Sequence, residues 1–207
     1  SSDVCSSDLR TRAGLIGFSP TALVYAAAAW FLGPGSLMMH GTHAAWGGWL
    51  DNLSMVMYIL IPWLLNLSQM GQWTVSRFLW IYAAIVVVYA VLRGAFGWGL
   101  GIGLDLFGLS IGLWVITESL YRFWSPMFRW LSGFVGFLVA LIFGTTPLEM
   151  WADPGKYWWV ILFWLPALIA REAPVRRRAY WPWFFLGVAF YLSASVIWKT
   201  GKPSHAW

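Results

Sequence analysis

The sequence predicts an all-α fold, a polytopic transmembrane helical bundle of about seven spans, and three observations support this. Of the 207 residues, 60% are hydrophobic and 10% are charged, whereas roughly a quarter of the residues in soluble domains are charged. So few charges cannot cover a surface that faces water. Aromatic residues make up 19% of the chain, and Trp and Tyr favour the boundary between lipid and water. The third observation is a series of long apolar stretches.

Seven stretches approach the length of about 20 apolar residues that a helix needs to cross a bilayer. They are Thr21–Gly41, Leu50–Leu67, Val75–Leu92, Phe96–Leu120, Phe128–Phe143, Tyr157–Ala170 and Trp181–Trp198. The fifth and sixth are short, so we expect them to tilt little or to be partly buried in protein. Residues 1–9 are polar and unlike the rest, and we interpret them as a non-native segment. We expect residues 10–207 to form a single transmembrane domain, truncated at both ends.

The basic residues are distributed as a membrane topology predicts, since cytoplasmic loops carry the excess of Lys and Arg. With strict alternation of seven spans, one side receives most of the arginines: Arg10, Arg12, Arg77, Arg122, Arg129, Arg171, Arg176, Arg177 and Arg178. The other side receives Arg93, Lys156, Lys199 and Lys202. The net charge of +5 is dispersed between apolar runs and forms no single stripe, so we predict no nucleic-acid partner.

The richest polar cluster lies between Gly33 and Met55 and reads GPGSLMMHGTHAAWGGWLDNLSM. Ionisable groups inside a span are costly, so each is a candidate for function. Ser36 and His40 are one helical turn apart and share a face, and Asp51 begins the next span. Because the connecting loop is short, we expect two antiparallel helices that bring a hydroxyl, an imidazole and a carboxylate to one membrane face.

This set of side chains suits a hydrolytic metal centre, in which a neutral imidazole binds zinc and a carboxylate accepts a proton from the metal-bound water. The alternative is structural: Ser36 bonds to a carbonyl of its own helix, and His40 lies at the interface beside Thr42 and His43. Spacing alone leaves both interpretations open, because one histidine does not make a metal site and catalytic zinc takes three protein ligands.

The run Gly33-Pro-Gly-Ser-Leu-Met-Met-His-Gly-Thr, followed by Asp51-Asn-Leu-Ser-Met, resembles the alkaline ceramidase family within the CREST superfamily of membrane hydrolases. In that family the matching stretch reads approximately G-x-G-S-x-x-x-H-x-T, then a short loop, then L-D-E-L-P-M. The resemblance covers about Gly33 to Met55. It implies a seven-helix, zinc-dependent amidase that cleaves the amide bond of ceramide-like lipids, with Ser36 and Asp51 as catalytic residues and His40 as the first zinc ligand.

The chain departs from the family pattern at several positions. Asn52 and Ser54 stand where many ceramidases have Glu and Pro. The family's H-x-x-x-H pair, which supplies the remaining zinc ligands, does not occur before Trp207, and we do not count His205 as a ligand. We therefore expect a fragment of a distant bacterial-type member whose other zinc ligands lie outside this chain.

From the resemblance we expect a membrane hydrolase that cleaves an amide or ester bond of a lipid substrate with a zinc-activated water. His40 would bind the metal, Asp51 would act as general base, and Ser36 would stabilise the developing oxyanion. His43, which lies between the first and second predicted spans, is a further polar candidate in the same loop.

A function of a different class remains open, a non-enzymatic transporter or receptor-like bundle. Asp105 and Glu118 lie in or near the fourth predicted span, where they would mark a polar pathway. A structural alternative is that these two acids pair with Arg93 and Arg122 at the interface. The run from Arg171 to Arg178 is better explained as a topology determinant that attracts anionic lipid.

Overall fold

A computed structural model describes residues 19–96, 106–142, 146–155, 157–174 and 181–200, and every regular element in these ranges is helical. The α-helices are α1 (Pro20–Thr42), α2 (Ala45–Met70), α3 (Val75–Phe96), α4 (Leu106–Arg122), α5 (Pro126–Leu131), α6 (Val135–Ile142), α7 (Pro147–Ala152), α8 (Leu165–Ile169) and α9 (Trp181–Thr200). Two 3-10 segments, Ser132–Phe134 and Trp158–Trp164, precede α6 and α8. The prediction of an all-α fold is therefore confirmed for the described residues.

Three of the described helices are long and apolar enough to cross a membrane, namely α1, α2 and α3. They match the first three predicted spans. The fourth predicted span lies partly outside the described residues, and its described part is α4, which begins at Leu106. The fifth and sixth predicted spans are built from short α-helices joined to 3-10 segments. The number of seven spans therefore stays a prediction.

The described residues fall into two compact units. Unit 1 contains residues up to 61 together with 74–96, that is, α1, most of α2 and α3. Unit 2 contains residues 62–73 and the described residues from 106 onward. The boundary within α2 is Pro62, which lies inside a helix that continues to Met70. One transmembrane domain over residues 10–207 stays a prediction.

The first helix begins and ends at residues whose local chemistry favours a terminus. Ser19 is the N-cap, and its hydroxyl accepts a hydrogen bond from the backbone N–H of Ala22 at 3.2 Å, which satisfies one of the unpaired donors of the first turn. At the other end His43 has a φ of 51° and donates its backbone N–H to Met39 at 3.1 Å. This left-handed residue reverses the chain, so α2 begins at Ala45.

In unit 1, side-chain contacts show that α2 runs antiparallel to α3. The indole N–H of Trp49 donates to the carbonyl of Ala90 at 3.0 Å, and the hydroxyl of Tyr82 donates to the carbonyl of Met57 at 3.0 Å. As the residue number rises along α2, the number of its partner on α3 falls. The same holds for α1 and α2, where Tyr25 and Tyr58 share a hydrogen bond of 2.7 Å at the end far from the loop.

In unit 2, the last turns of α2 run parallel to α4. Asn66 bonds to Glu118 at 2.8 Å, and Tyr121 donates to Gln69 at 2.8 Å. The partner's number now rises with that of α2. The backbone N–H of Arg171, just after α8, donates to the carbonyl of Met70 at 3.0 Å. The C-terminal ends of α2, α4 and α8 therefore lie together at one end of unit 2.

Candidate functional site

The α1/α2 pair approaches most closely around two glycines. A Cβ atom placed on Gly35 would lie 2.6 Å from the hydroxyl of Ser54, and one placed on Gly47 would lie 2.5 Å from the carbonyl of Met38. Both glycines are buried. Small residues allow helix backbones to approach in this way. The hairpin is consequently held at a defined register, with Gly35 level with the turn that precedes Ser54.

This register places Ser36 and Asp51 at the same level of the pair. Ser36 follows Gly35 by one residue, a rotation of about 100°. Asp51 follows Gly47 by four residues, a rotation of about 40° past one full turn. Both rotations are counted from the line of contact toward the C-terminus. Because the two right-handed helices are antiparallel, both rotations lead to the same flank of the pair. The Ser36 hydroxyl and the Asp51 carboxylate therefore share one flank of the hairpin.

Both side chains are half-buried. Within the described part of the chain neither the hydroxyl of Ser36 nor the carboxylate of Asp51 makes a hydrogen bond or ion pair. The backbone carbonyl of Asp51 accepts the hydroxyl of Ser54 at 2.7 Å, which leaves the carboxylate itself available. A donor and a charged acceptor that face one flank can bind a polar group between them.

His40 lies one turn closer to the loop than Ser36 and is exposed. It follows Gly35 by five residues, so it is rotated by about 140° from the direction of closest contact with α2. His40 therefore shares the α1 face of Ser36, as its spacing predicts, but it points farther from α2 than Ser36 does. By helix geometry His40 is therefore directed farther from Asp51 than Ser36 is.

Residues in the loop have structural partners. The hydroxyl of Thr42 donates to the carbonyl of Met38 at 2.6 Å, so Thr42 forms the bond to its own helix that was considered for Ser36. His43 is exposed and ends α1 in the left-handed conformation. The contact of His43 involves only its backbone, so the role of its imidazole stays a prediction.

The two departures from the ceramidase pattern also have local explanations. The amide of Asn52 donates to the carbonyl of Gly48 at 2.7 Å, and the hydroxyl of Ser54 donates to that of Asp51 at 2.7 Å. Both bonds stay within α2. Ser54 is fully buried against Gly35, where a bulkier residue would push the two helices apart.

The described residues do not fit a complete zinc site. A catalytic zinc takes three protein ligands, and no group of three or more His, Cys, Asp or Glu side chains lies together in residues 19–96, 106–142, 146–155, 157–174 and 181–200. His40 would provide one ligand at most. Zinc stays a prediction that comes from the family resemblance, and His205 lies outside the described residues.

A second polar site lies in unit 2, around Glu118. This side chain is 2% exposed, and its Oε2 atom accepts a hydrogen bond from the amide of Asn66 at 2.8 Å. The same amide is 3.3 Å from the hydroxyl of Thr117. Both partners are fully buried. The predicted pairing of Glu118 with Arg122 stays a prediction, and Asp105 lies outside the described residues.

Two polar contacts between helices are not among the predictions from the sequence, namely that of Asn66 and that of the pair Tyr25 and Tyr58. Asn66 interrupts the apolar run ILIPWLLNL, and a single amide in such a run is the signal of a polar contact between helices. Tyr25 and Tyr58 lie on α1 and α2, where their hydroxyls meet at 2.7 Å. Their spacing along two different helices carries no local signal of this contact.

No protein-family model, no curated protein and no solved structure matches this chain. The resemblance to ceramidases consequently depends on the residues between Gly33 and Met55. The function that this resemblance implies is therefore a proposal.

Proposed function

We propose that this chain belongs to a multi-pass membrane hydrolase of the ceramidase-like type, which cleaves an amide or ester bond of a lipid at the membrane face. The observation that supports the proposal is the close contact of α1 and α2 at Gly35, from which helix geometry assigns Ser36 and Asp51 to one flank at one level. The order of these residues also matches the ceramidase motif. Lipid is the substrate class because the flank belongs to helices of membrane-spanning length.

In this proposal Asp51 acts as the general base. Its carboxylate has no described partner, so it can accept the proton of a water molecule that attacks the carbonyl carbon of the substrate. When the C–N or C–O bond of the substrate then breaks, Asp51 returns this proton to the leaving amine or alcohol. Ser36 donates its hydroxyl to the oxygen on which negative charge develops. Because both groups are half-buried, their interactions with the reacting atoms are stronger than they would be in water.

His40 is assigned a supporting role as one metal ligand, as the family resemblance implies. The steps assigned to Asp51 and Ser36 do not pass through the metal. In its full reading frame, purified protein with His40→Ala should contain less zinc than the unaltered protein when the metal is measured by mass spectrometry.

Hydrolysis of a lipid amide tests the proposal directly. The chain, in its full reading frame, is reconstituted into phosphatidylcholine vesicles that contain an N-acyl sphingoid lipid, and released fatty acid is measured. We expect Asp51→Asn to lower the rate by about 100-fold or more, since general-base catalysis contributes about 10²–10⁴. We expect Ser36→Ala to lower the rate less, because it removes one oxyanion donor.

Asn52→Ala is the matched control, since Asn52 is adjacent to Asp51 and bonds only to the carbonyl of Gly48 among its described contacts. It should keep most of the activity. Equal rates for Asp51→Asn and Asn52→Ala would disprove the assignment of the base. No release of fatty acid by any form of the protein would disprove the hydrolase.

The multi-pass topology of seven spans is part of the proposal. It requires the second and fourth spans to run in the same direction, and α2 and α4 do so where they touch. It also requires the loops after the second, fourth and sixth spans to lie on one side. The backbone bond between Arg171 and Met70 is what such a topology predicts for the loops after the sixth and second spans.

A second candidate function, transport through a polar pathway, is favoured by the burial of Glu118. A carboxyl group that is 2% exposed within a helical bundle is costly and is a candidate for function by default. Glu118→Gln would then abolish ion or proton flux into vesicles, while Asp51→Asn and His40→Ala would leave it unchanged. If the protein is a hydrolase, Asp51→Asn and His40→Ala should lower the release of fatty acid, and Glu118→Gln should leave it unchanged.

A further inference from the structure

Far from the α1/α2 site in sequence, the segment from Arg122 to Trp130, which we call the Arg-aromatic turn, follows α4. It reads RFWSPMFRW. No acidic residue occurs in the sequence between Glu118 and Glu149. The two arginines therefore lie in a stretch that supplies no carboxylate of its own.

Aromatic contacts determine where the two guanidinium groups of this turn lie. The Cζ atom of Arg122 is 5.8 Å from the ring centroid of Phe123, and that of Arg129 is 4.9 Å from the centroid of Trp130. The rings of Phe123 and Phe128 meet edge to face at 6.4 Å. This contact joins the ring beside Arg122 to Phe128, the residue that precedes Arg129, so the two cation–ring pairs belong to one turn.

Arg129 has hydrogen-bonding capacity left for a ligand. Its Nε atom is buried and makes no hydrogen bond within the described part of the chain. The neighbouring hydroxyls are already engaged, because Ser125 accepts from the N–H of Phe128 at 3.0 Å and Ser132 donates to the carbonyl of Arg129 at 2.7 Å. A buried donor without an acceptor costs free energy. The guanidinium of Arg129, which is partly exposed, can form a charge-assisted bond with an anionic oxygen.

The surroundings of Arg129 are those of a lipid interface. Phe123 is 53% exposed, Met127 73% and Trp130 48%, so the turn that carries the cations exposes large apolar side chains. Tryptophan favours the headgroup level of a bilayer, and a guanidinium fork matches the oxygens of a phosphate. We propose that the Arg-aromatic turn binds the phosphate group of an anionic phospholipid, with Arg129 as its main ligand.

A phospholipid fits this site better than a free phosphate ion. The exposed rings and Met127 offer apolar surface beside the charge, which a soluble anion would leave uncovered and the acyl chains or glycerol of a lipid would cover. The site is distinct from Ser36 and Asp51, so the binding proposed here does not depend on the hydrolase proposal.

The test uses the complete chain in nanodiscs that contain equal amounts of phosphatidylglycerol and phosphatidylcholine. After transfer to detergent, native mass spectrometry measures the ratio of the two lipids that stay bound. We expect phosphatidylglycerol to be enriched on the unaltered protein and Arg129→Gln to lower this enrichment by about tenfold, the effect of one lost charge-assisted contact. Arg129→Lys, which keeps the charge but not the fork, should fall between them.

Arg77→Gln is the matched control, because it removes one positive charge at the start of α3, outside the turn. If Arg77→Gln and Arg129→Gln lower the enrichment equally, the lipid responds to net charge and the site does not exist. If soluble sn-glycerol 3-phosphate displaces the bound lipid at equal phosphate concentration, the ligand is a free phosphate ester and the lipid assignment is wrong.

A second variant keeps the proposal testable if Arg129→Gln does not fold. Trp130→Leu keeps an apolar side chain but removes the ring that orients the guanidinium, so it should also lower the enrichment while leaving the net charge unchanged. Full enrichment in Trp130→Leu would overturn the proposal.

Discussion

At the scale of single residues, two glycines of α1 that are two positions apart meet different surroundings. A Cβ atom on Gly35 would lie 2.6 Å from the hydroxyl and 2.8 Å from the Cβ of Ser54, whereas a Cβ on Gly33 meets nothing within 4 Å. We expect Gly35→Ala to lower the free energy of unfolding by about 1–3 kcal/mol, because it overpacks the contact. Gly33→Ala should raise it by up to about 1 kcal/mol, because alanine favours the helix.

Thermal unfolding in detergent measures both changes. Ser54→Gly should restore stability to Gly35→Ala, since it removes the atoms that the new methyl group meets. Equal melting temperatures for Gly33→Ala and Gly35→Ala would show that α1 and α2 do not approach at this point. The inference that Ser36 and Asp51 lie on one flank would then be wrong, because it depends on this contact.

At the scale of helices, one buried polar contact joins α2 to α4. The amide of Asn66 donates to Glu118, and both side chains are removed from solvent. We expect Asn66→Leu to destabilise the protein by about 1–3 kcal/mol, because a buried carboxyl group loses a hydrogen bond. Glu118→Gln should cost less, since the amide still offers an oxygen to Asn66.

The bond between Tyr121 and Gln69 is the comparison within the same pair of helices. Gln69 is exposed, so in Gln69→Leu water can replace the lost amide oxygen as the acceptor of the Tyr121 hydroxyl. This substitution should cost less than about 1 kcal/mol. Chemical unfolding of the purified variants gives these differences. A cost for Gln69→Leu as large as that for Asn66→Leu would contradict the distinction between the two contacts.

At the scale of the whole molecule, alternation of seven spans predicts which loops share a side of the membrane. We expect cysteines at Ala44 and Gly155 to react with a membrane-impermeant maleimide from one side and a cysteine at Gln72 from the other. Cys5, the only cysteine in the sequence, is first replaced by serine. Intact and permeabilised vesicles distinguish the two sides.

The informative position in this labelling is Gly155. Residues 44 and 72 flank α2, a helix of membrane-spanning length, so their opposite labelling tests that helix alone. Labelling of residue 155 from the side of residue 72 would show that α4 to α7 cross the membrane a different number of times than the seven-span topology requires.

Much of the fold could be predicted because it depends on local properties of the chain. Long apolar runs predict α1, α2 and α3, since a helix is the structure that satisfies its backbone hydrogen bonds within lipid. The short polar loop predicts the hairpin of α1 and α2. The spacing of Ser36 and His40 predicts one face, because one turn of helix separates them. These inferences need no knowledge of distant residues.

The fifth and sixth apolar segments show where hydropathy stops being informative. Mean hydropathy treats them as single spans, but Pro126 begins a short helix, a 3-10 segment follows at Ser132–Phe134, and another precedes Pro166. In addition, Trp164 packs directly against Gly133, a contact between two segments that are distant in sequence. Apolar composition does not distinguish a continuous helix from several short ones packed on each other.

Composition and periodicity are sums over neighbours in the chain, so they predict a helical protein with helices long and apolar enough to cross a membrane. They also select Ser36, His40 and Asp51 as candidates. Which side chains actually meet depends on how closely two helices approach and on how each is rotated, and this follows from distant small residues such as Gly35 and Gly47. For that reason the common flank of Ser36 and Asp51, the outward rotation of His40 and the partner of Glu118 became visible only in the packed structure.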